Sequence, residues 1–93
     1  MGSENGDDGR EERIDRFLEA LGVNIRRSAL QSLRYSKNES LSIDELATQM
    51  DAPEEYEDDR EALAGALRHR HIPALEKAGI VDFDETTNSV IYH

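Results

Sequence analysis

The spacing of apolar residues changes once along this chain, at Gly79, and that change limits the fold to helices followed by a β-hairpin. Ahead of Gly79 the hydrophobic residues recur three and four apart, the period of a helix with one buried stripe. Beyond it come two short β-rich runs, Ile80-Val81-Asp82-Phe83-Asp84, in which Val81 and Phe83 alternate with acids, and Ser89-Val90-Ile91-Tyr92. The polar link Glu85-Thr86-Thr87-Asn88 between these runs predicts a hairpin turn, with Asn88 suited to a left-handed backbone.

The helical portion divides further. Ile14, Phe17, Leu18 and Leu21 fall at i, i+3, i+4 and i+7 and predict a helix from Glu11 that Gly22 closes. Ile25, Ala29, Leu30 and Leu33 predict a second, fraying near Ser36-Lys37-Asn38. Ser42-Ile43-Asp44-Glu45 is a capping box, in which the serine hydroxyl and the glutamate carboxylate each accept from an orphan backbone N–H. It opens a third helix whose stripe is Ile43, Leu46, Ala47 and Met50, and Leu41 just before it can pair as a short strand. Asp51 to Glu61, with seven acids and one base, reads as a connection whose late aspartates cap the next helix. Ala62, Leu63, Ala66 and Leu67 begin that helix, which runs toward Ala78 and stops at Gly79. Pro73 lacks the N–H that would bond four residues back, so a kink or break is expected around residues 69 to 73. The expectation is a single α+β domain over residues 11–93, about four helices and a C-terminal hairpin, behind a solvated acidic tail over residues 1–10.

Composition narrows the setting. With 93 residues the chain supports one core and no second domain of any weight. Its 21 acidic and 11 basic residues leave a net charge of -10, which repels itself in dilute buffer and is screened at high salt. There is no cysteine, so disulfides, thiol nucleophiles and cysteine-based zinc sites are excluded. The chain has neither an apolar run of membrane-spanning length nor the apolar segment of a secretory signal, and the expected location is cytoplasmic. No phosphate loop, dinucleotide fingerprint or nucleophile elbow occurs, so neither enzymatic activity nor a cofactor is expected. His69 and His71 point apart at i and i+2 without a third ligand at useful spacing, and the acidic connection lacks the pattern of a calcium loop; no metal site is expected.

Three segments carry a family resemblance. LSIDELATQM resembles the first helix of a helix-turn-helix, REALAGALRHRHIPALEKAGIV its second helix, and IVDFDETTNSVIYH the wing that follows. Over residues 13 to 93 the chain is similar to winged helix-turn-helix domains of halophilic archaea, in which His71-Ile72-Pro73-Ala74-Leu75 and Ala78-Gly79-Ile80 have counterparts. The resemblance implies a transcriptional-regulator-like domain binding double-stranded DNA through the helix around residues 59–78. It departs from the simplest motifs in its long acidic connection, where they have a tight turn.

Phosphate binding needs lysine and arginine, so their placement selects the candidates. Arg60, Arg68, His69, Arg70 and Lys77 lie on the presumed recognition helix or at its ends, and Thr87 and Asn88 at the wing tip can hydrogen-bond to phosphate. The same arginines can equally be solvated charges pairing with the acidic connection. The wing tip has no basic residue, which counts against strong contact there. Arg26, Arg27, Arg34 and Lys37 make a second basic patch in a stretch without acids, either contacting phosphate or pairing with the acidic tail or a partner. Ile14, Phe17, Leu18 and Leu21 either pack on their own core or form a homodimer face. The alternative function is an acidic winged-helix module for protein–protein interaction without DNA binding.

Overall fold

The computed structural model describes residues 2–93, with side chains from Glu12 onward. The elements are α1 (Gly2–Tyr35), β1 (Ser40–Ser42), α2 (Ile43–Gln49), a 3-10 turn (Glu54–Tyr56), α3 (Arg60–Ala66), a π-helical turn (Leu67–His71), α4 (Ile72–Lys77), β2 (Val81–Asp84) and β3 (Ser89–Tyr92). Together they form a small α+β domain. The tail expected over residues 1–10 lies outside the residues whose side chains are described.

The two helices expected on either side of Gly22 are one. The apolar positions 14, 18, 21, 25, 29 and 33 keep a single helical phase, so the stripe continues through the glycine without a break. Burial of its C-terminal half, at Ile25, Ala29 and Leu33, outweighs the roughly 1 kcal/mol that glycine costs inside a helix. Gly22 serves as a point of close approach. A methyl group there would lie 3.2 Å from Nη1 of Arg26 and 3.5 Å from Cε1 of His71.

Elsewhere local chemistry sets the boundaries as the residues suggest. Ser42 Oγ accepts from Glu45 N–H at 3.1 Å while Glu45 Oε1 accepts from Ser42 N–H at 3.0 Å, completing the capping box of α2. Asp59 caps α3 by accepting from Ala62 N–H at 3.0 Å. α4 ends in a Schellman arrangement: Ile80 N–H reaches Leu75 O at 3.0 Å and Gly79 N–H reaches Glu76 O at 2.9 Å. Gly79 makes this possible at φ 78, a left-handed conformation that penalises any side chain. Asn88 also has a positive φ, 55, in the turn between β2 and β3.

The three strands form an antiparallel sheet in the order β1-β3-β2. Val90 stands at its centre, opposite Leu41 on one side and Phe83 on the other. Ile43 N–H donates to Asn88 O at 3.0 Å, tying the start of α2 to the end of the hairpin turn. Leu46, Leu63, Leu67, Val81 and Val90 are fully buried in one core that joins α1, α2, α3 and the sheet. No helix among the described residues is long and apolar enough to cross a membrane.

Candidate nucleic-acid interface

Pro73 determines the shape of the candidate surface. Without an N–H it cannot bond to His69 O, and the helix widens just before it: Ile72 N–H bonds to Leu67 O, five residues back. The turn is anchored at both ends, because Leu67 and His71 are buried, and its three intervening residues, Arg68, His69 and Arg70, are exposed. The break expected around residues 69–73 is therefore a π-helical turn that raises a cationic crest between α3 and α4.

The two arginines of the crest point to different sides. Arg68 and His69 line a groove of about 590 Å³ with Pro73, Glu76, Phe83 and Glu85, between α4 and the hairpin. The same pair lines the adjoining groove toward α2, with Asp44, Glu61 and Asn88. Arg70 instead faces α1, in a groove with Leu18, Leu21, Gly22 and Tyr56. Neither guanidinium is within salt-bridge distance of a carboxylate among the described residues, where Arg16 pairs with Glu12 and His93 is hydrogen-bonded to Asp82. Asp44, Glu61, Glu76 and Glu85 nonetheless frame Arg68 with negative charge.

His71 holds the crest from below. It is 7% exposed, and Arg26 Nη1 donates to its Nδ1 at 3.3 Å. Arginine has no acceptor, so Nδ1 must be unprotonated and the neutral ring carries its hydrogen on Nε2. Burial above all, then the charges of Arg26 and Arg70, pushes the pKa of His71 below its ordinary value. Arg26 is thus drawn from the second basic patch into a link between α1 and the crest, a role only the fold reveals. The proximity of Gly22 to both residues is its structural signature.

Other candidates are placed differently from expectation. Arg60 is a clamp: its Nη1 donates to Ala47 O at 2.7 Å and to Met50 O at 2.8 Å, closing the C-terminal carbonyls of α2. That guanidinium is committed to its own fold, so Arg60 is withdrawn from the residues expected to contact DNA. Asn88 makes the hairpin turn and lines the groove beside Arg68, with its Oδ1 buried and without a hydrogen-bond partner. Thr87 is exposed at the turn, and Lys77 is exposed in the last turn of α4. Arg27 and Arg34 line a separate groove of about 470 Å³ with Val23, Leu30, Leu75 and Tyr92, and Lys37 is exposed just beyond α1. No group of three His, Asp or Glu side chains among the described residues is placed to hold a metal ion.

A family model described as Domain of unknown function (DUF7344) matches residues 18–91. The chain belongs to that family. The DUF7344 match begins at Leu18, inside α1, and ends at Ile91 in β3, so it spans the crest, both grooves beside it and the whole sheet. Ile14 and Phe17 precede the DUF7344 segment. No curated protein and no solved structure matches the chain.

Proposed function

We propose that this domain binds double-stranded DNA as a transcriptional regulator, with the crest Arg68-His69-Arg70 entering the major groove. The observation that carries the reading is a pair of exposed arginines, unpaired with carboxylates among the described residues, on a helix that leads into a hairpin. The element order of α1, β1, α2, the α3–α4 segment, β2 and β3, with sheet order β1-β3-β2, supports reading the domain as a winged helix. In that plan α2 braces the duplex backbone, the α3–α4 segment reads base edges and the β2–β3 hairpin is the wing. Arg68 or Arg70 then donates two hydrogen bonds to a guanine, while Lys77 and Thr87 contact phosphate.

The four carboxylates around Arg68 shape how such binding depends on salt. At low ionic strength they repel phosphate; at molar salt, where the Debye length is roughly 3 Å, that repulsion is screened and the directional hydrogen bonds remain. Affinity is expected to hold or rise from about 0.1 M to about 2 M potassium chloride, opposite to the fall that counterion release gives ordinary basic domains. Such a salt response would suit the halophilic setting that the net charge of -10 suggests.

Fluorescence anisotropy with random and genomic duplexes across that salt range tests the reading. Arg68→Ala and Arg70→Ala should each leave the fold intact, and the one that reads a base should weaken the preferred site by about tenfold or more. Absence of binding at every salt concentration would overturn the reading. The groove of Val23, Leu30 and Tyr92 edged by Arg26, Arg27 and Arg34 favours a second reading, docking of an acidic protein surface.

A further inference from the structure

The groove beside the C-terminal half of α1 carries a charge opposite to that of the chain as a whole. It encloses about 470 Å³, and Val23, Arg27, Leu30 and Arg34 of α1 line it together with Leu75 of α4 and Tyr92 of β3. Arginine supplies all three of its charged side chains, in a chain whose net charge is -10. Arg26, the third of them, is engaged with His71. That leaves Arg27 and Arg34, both exposed and neither paired with a carboxylate among the described residues, as the cations open to a partner.

The remaining lining is largely apolar. Leu75 is buried, Leu30 partly so, and Val23 and Tyr92 are each 40% exposed. Phosphate alone would satisfy the guanidiniums but leave these side chains facing charge, whereas a partner with both acidic and apolar side chains suits both. Spacing selects the form of that partner. Val23, Arg27, Leu30 and Arg34 follow at steps of four, three and four along one line of α1. Seven residues at about 1.5 Å each set Arg27 and Arg34 about 10.5 Å apart along the axis. A second helix beside α1 meets both with acids seven positions apart on one of its faces, and sets the turn between those acids over Leu30. An extended segment covers the same length in about three residues, which puts its two acids on opposite faces.

We infer, building on the acidic-partner reading and independently of DNA binding, that this groove docks an acidic amphipathic helix of another protein. Its carboxylates pair with Arg27 and Arg34, and the apolar residues between them cover Val23, Leu30 and Tyr92. The grooves beside the crest share no lining residue with this one, so a duplex at Arg68 or Arg70 and a helix here use separate side chains.

Fluorescence anisotropy on the full chain at about 0.15 M salt tests this, because a Debye length of about 8 Å there lets the two arginines outweigh more distant acids. The probe is a labelled alanine-rich helical peptide with two glutamates seven positions apart and leucines between them. It should bind with a dissociation constant of about 0.1 mM or tighter. Arg27→Glu and Arg34→Glu should each weaken binding about tenfold or more with the circular dichroism spectrum retained, and Arg16→Glu, the same reversal elsewhere on α1, should leave it unchanged. Replacing the peptide's leucines by serine should also cost about tenfold. Equal binding of the serine peptide would keep an acidic partner but overturn the amphipathic helix; no binding of either peptide would overturn both. An equal loss in Arg16→Glu would reduce the effect to net charge and overturn the site. So would tighter binding of a random duplex that Arg27→Glu abolishes, which would give the groove to phosphate. Light scattering of the protein alone should show no dimer that Arg27→Glu dissolves, since such a dimer would put a second copy of this chain in the groove instead.

Discussion

Replacing Arg60 by alanine should destabilise the domain substantially, although the residue lies on the surface. Its Nη1 donates to two carbonyl oxygens, Ala47 O at 2.7 Å and Met50 O at 2.8 Å, at the end of a helix of only seven residues. These carbonyls have no intrahelical partner, and they form the negative end of the α2 dipole. A hydrogen bond to a charged group is worth about 1.5–3 kcal/mol, but one nitrogen shared between two acceptors at a part-exposed site should give about 2 kcal/mol in all. For a domain of this size each kcal/mol lowers the melting midpoint by about 4–8 °C, so a fall of about 8–16 °C is expected. Circular dichroism melts of the wild type, Arg60→Ala and Arg60→Lys measure it. Lysine can restore the charge but not the fixed planar donor, and should recover part of the loss. At a temperature where all three are folded, any DNA affinity should be the same. A midpoint shift below about 2 °C would show that the clamp carries no stability, and a loss of binding without loss of stability would return Arg60 to the interface.

Three further outcomes follow from the geometry. Gly22→Ala should stabilise the chain by up to about 1 kcal/mol through helix propensity, since the nearest atom to the new methyl is the movable end of Arg26; a destabilised variant in urea titration would show that the approach of α1 to His71 is rigid. Gly79→Ala should cost about 1 kcal/mol or more because φ 78 penalises a side chain, and an unchanged urea midpoint would refute the role of the Schellman end. His71 makes stability depend on pH: its folded pKa is depressed, so between that value and about 6.5 the unfolded chain binds more protons than the folded one. Its contribution is fully present above about pH 6.5, declines as the pH falls through that window, and levels off below the folded pKa. Urea midpoints from pH 7.5 to pH 5 should therefore decline more steeply for the wild type than for His71→Gln, and parallel curves would count against a buried neutral imidazole.

Local signals carried much of the fold. The capping box at Ser42, the hairpin with Asn88 in its turn, the stop at Gly79 and the break before Pro73 all depend on residues within a few positions of one another, so the spacing of side chains was enough to locate them. A sequence of this kind also excludes cysteine chemistry and sets the excess of acid. What it left open was every question about partners distant along the chain. Gly22 looks like a stop until α1 is seen packing its C-terminal half into a core that α2, α3 and β3 complete. Arg60 and Arg68 are alike in composition, yet one reaches back to the carbonyls of α2 while the other stands free on a widened turn. Arg26 joins His71 across 45 positions, and the line of Ile14, Phe17 and Leu18 continues a buried stripe but finds no core beneath it. Periodicity tells which residues share a face; only the folded chain decides whether that face meets the core, a carbonyl or open solvent, because that depends on contacts whose partners lie far away in sequence.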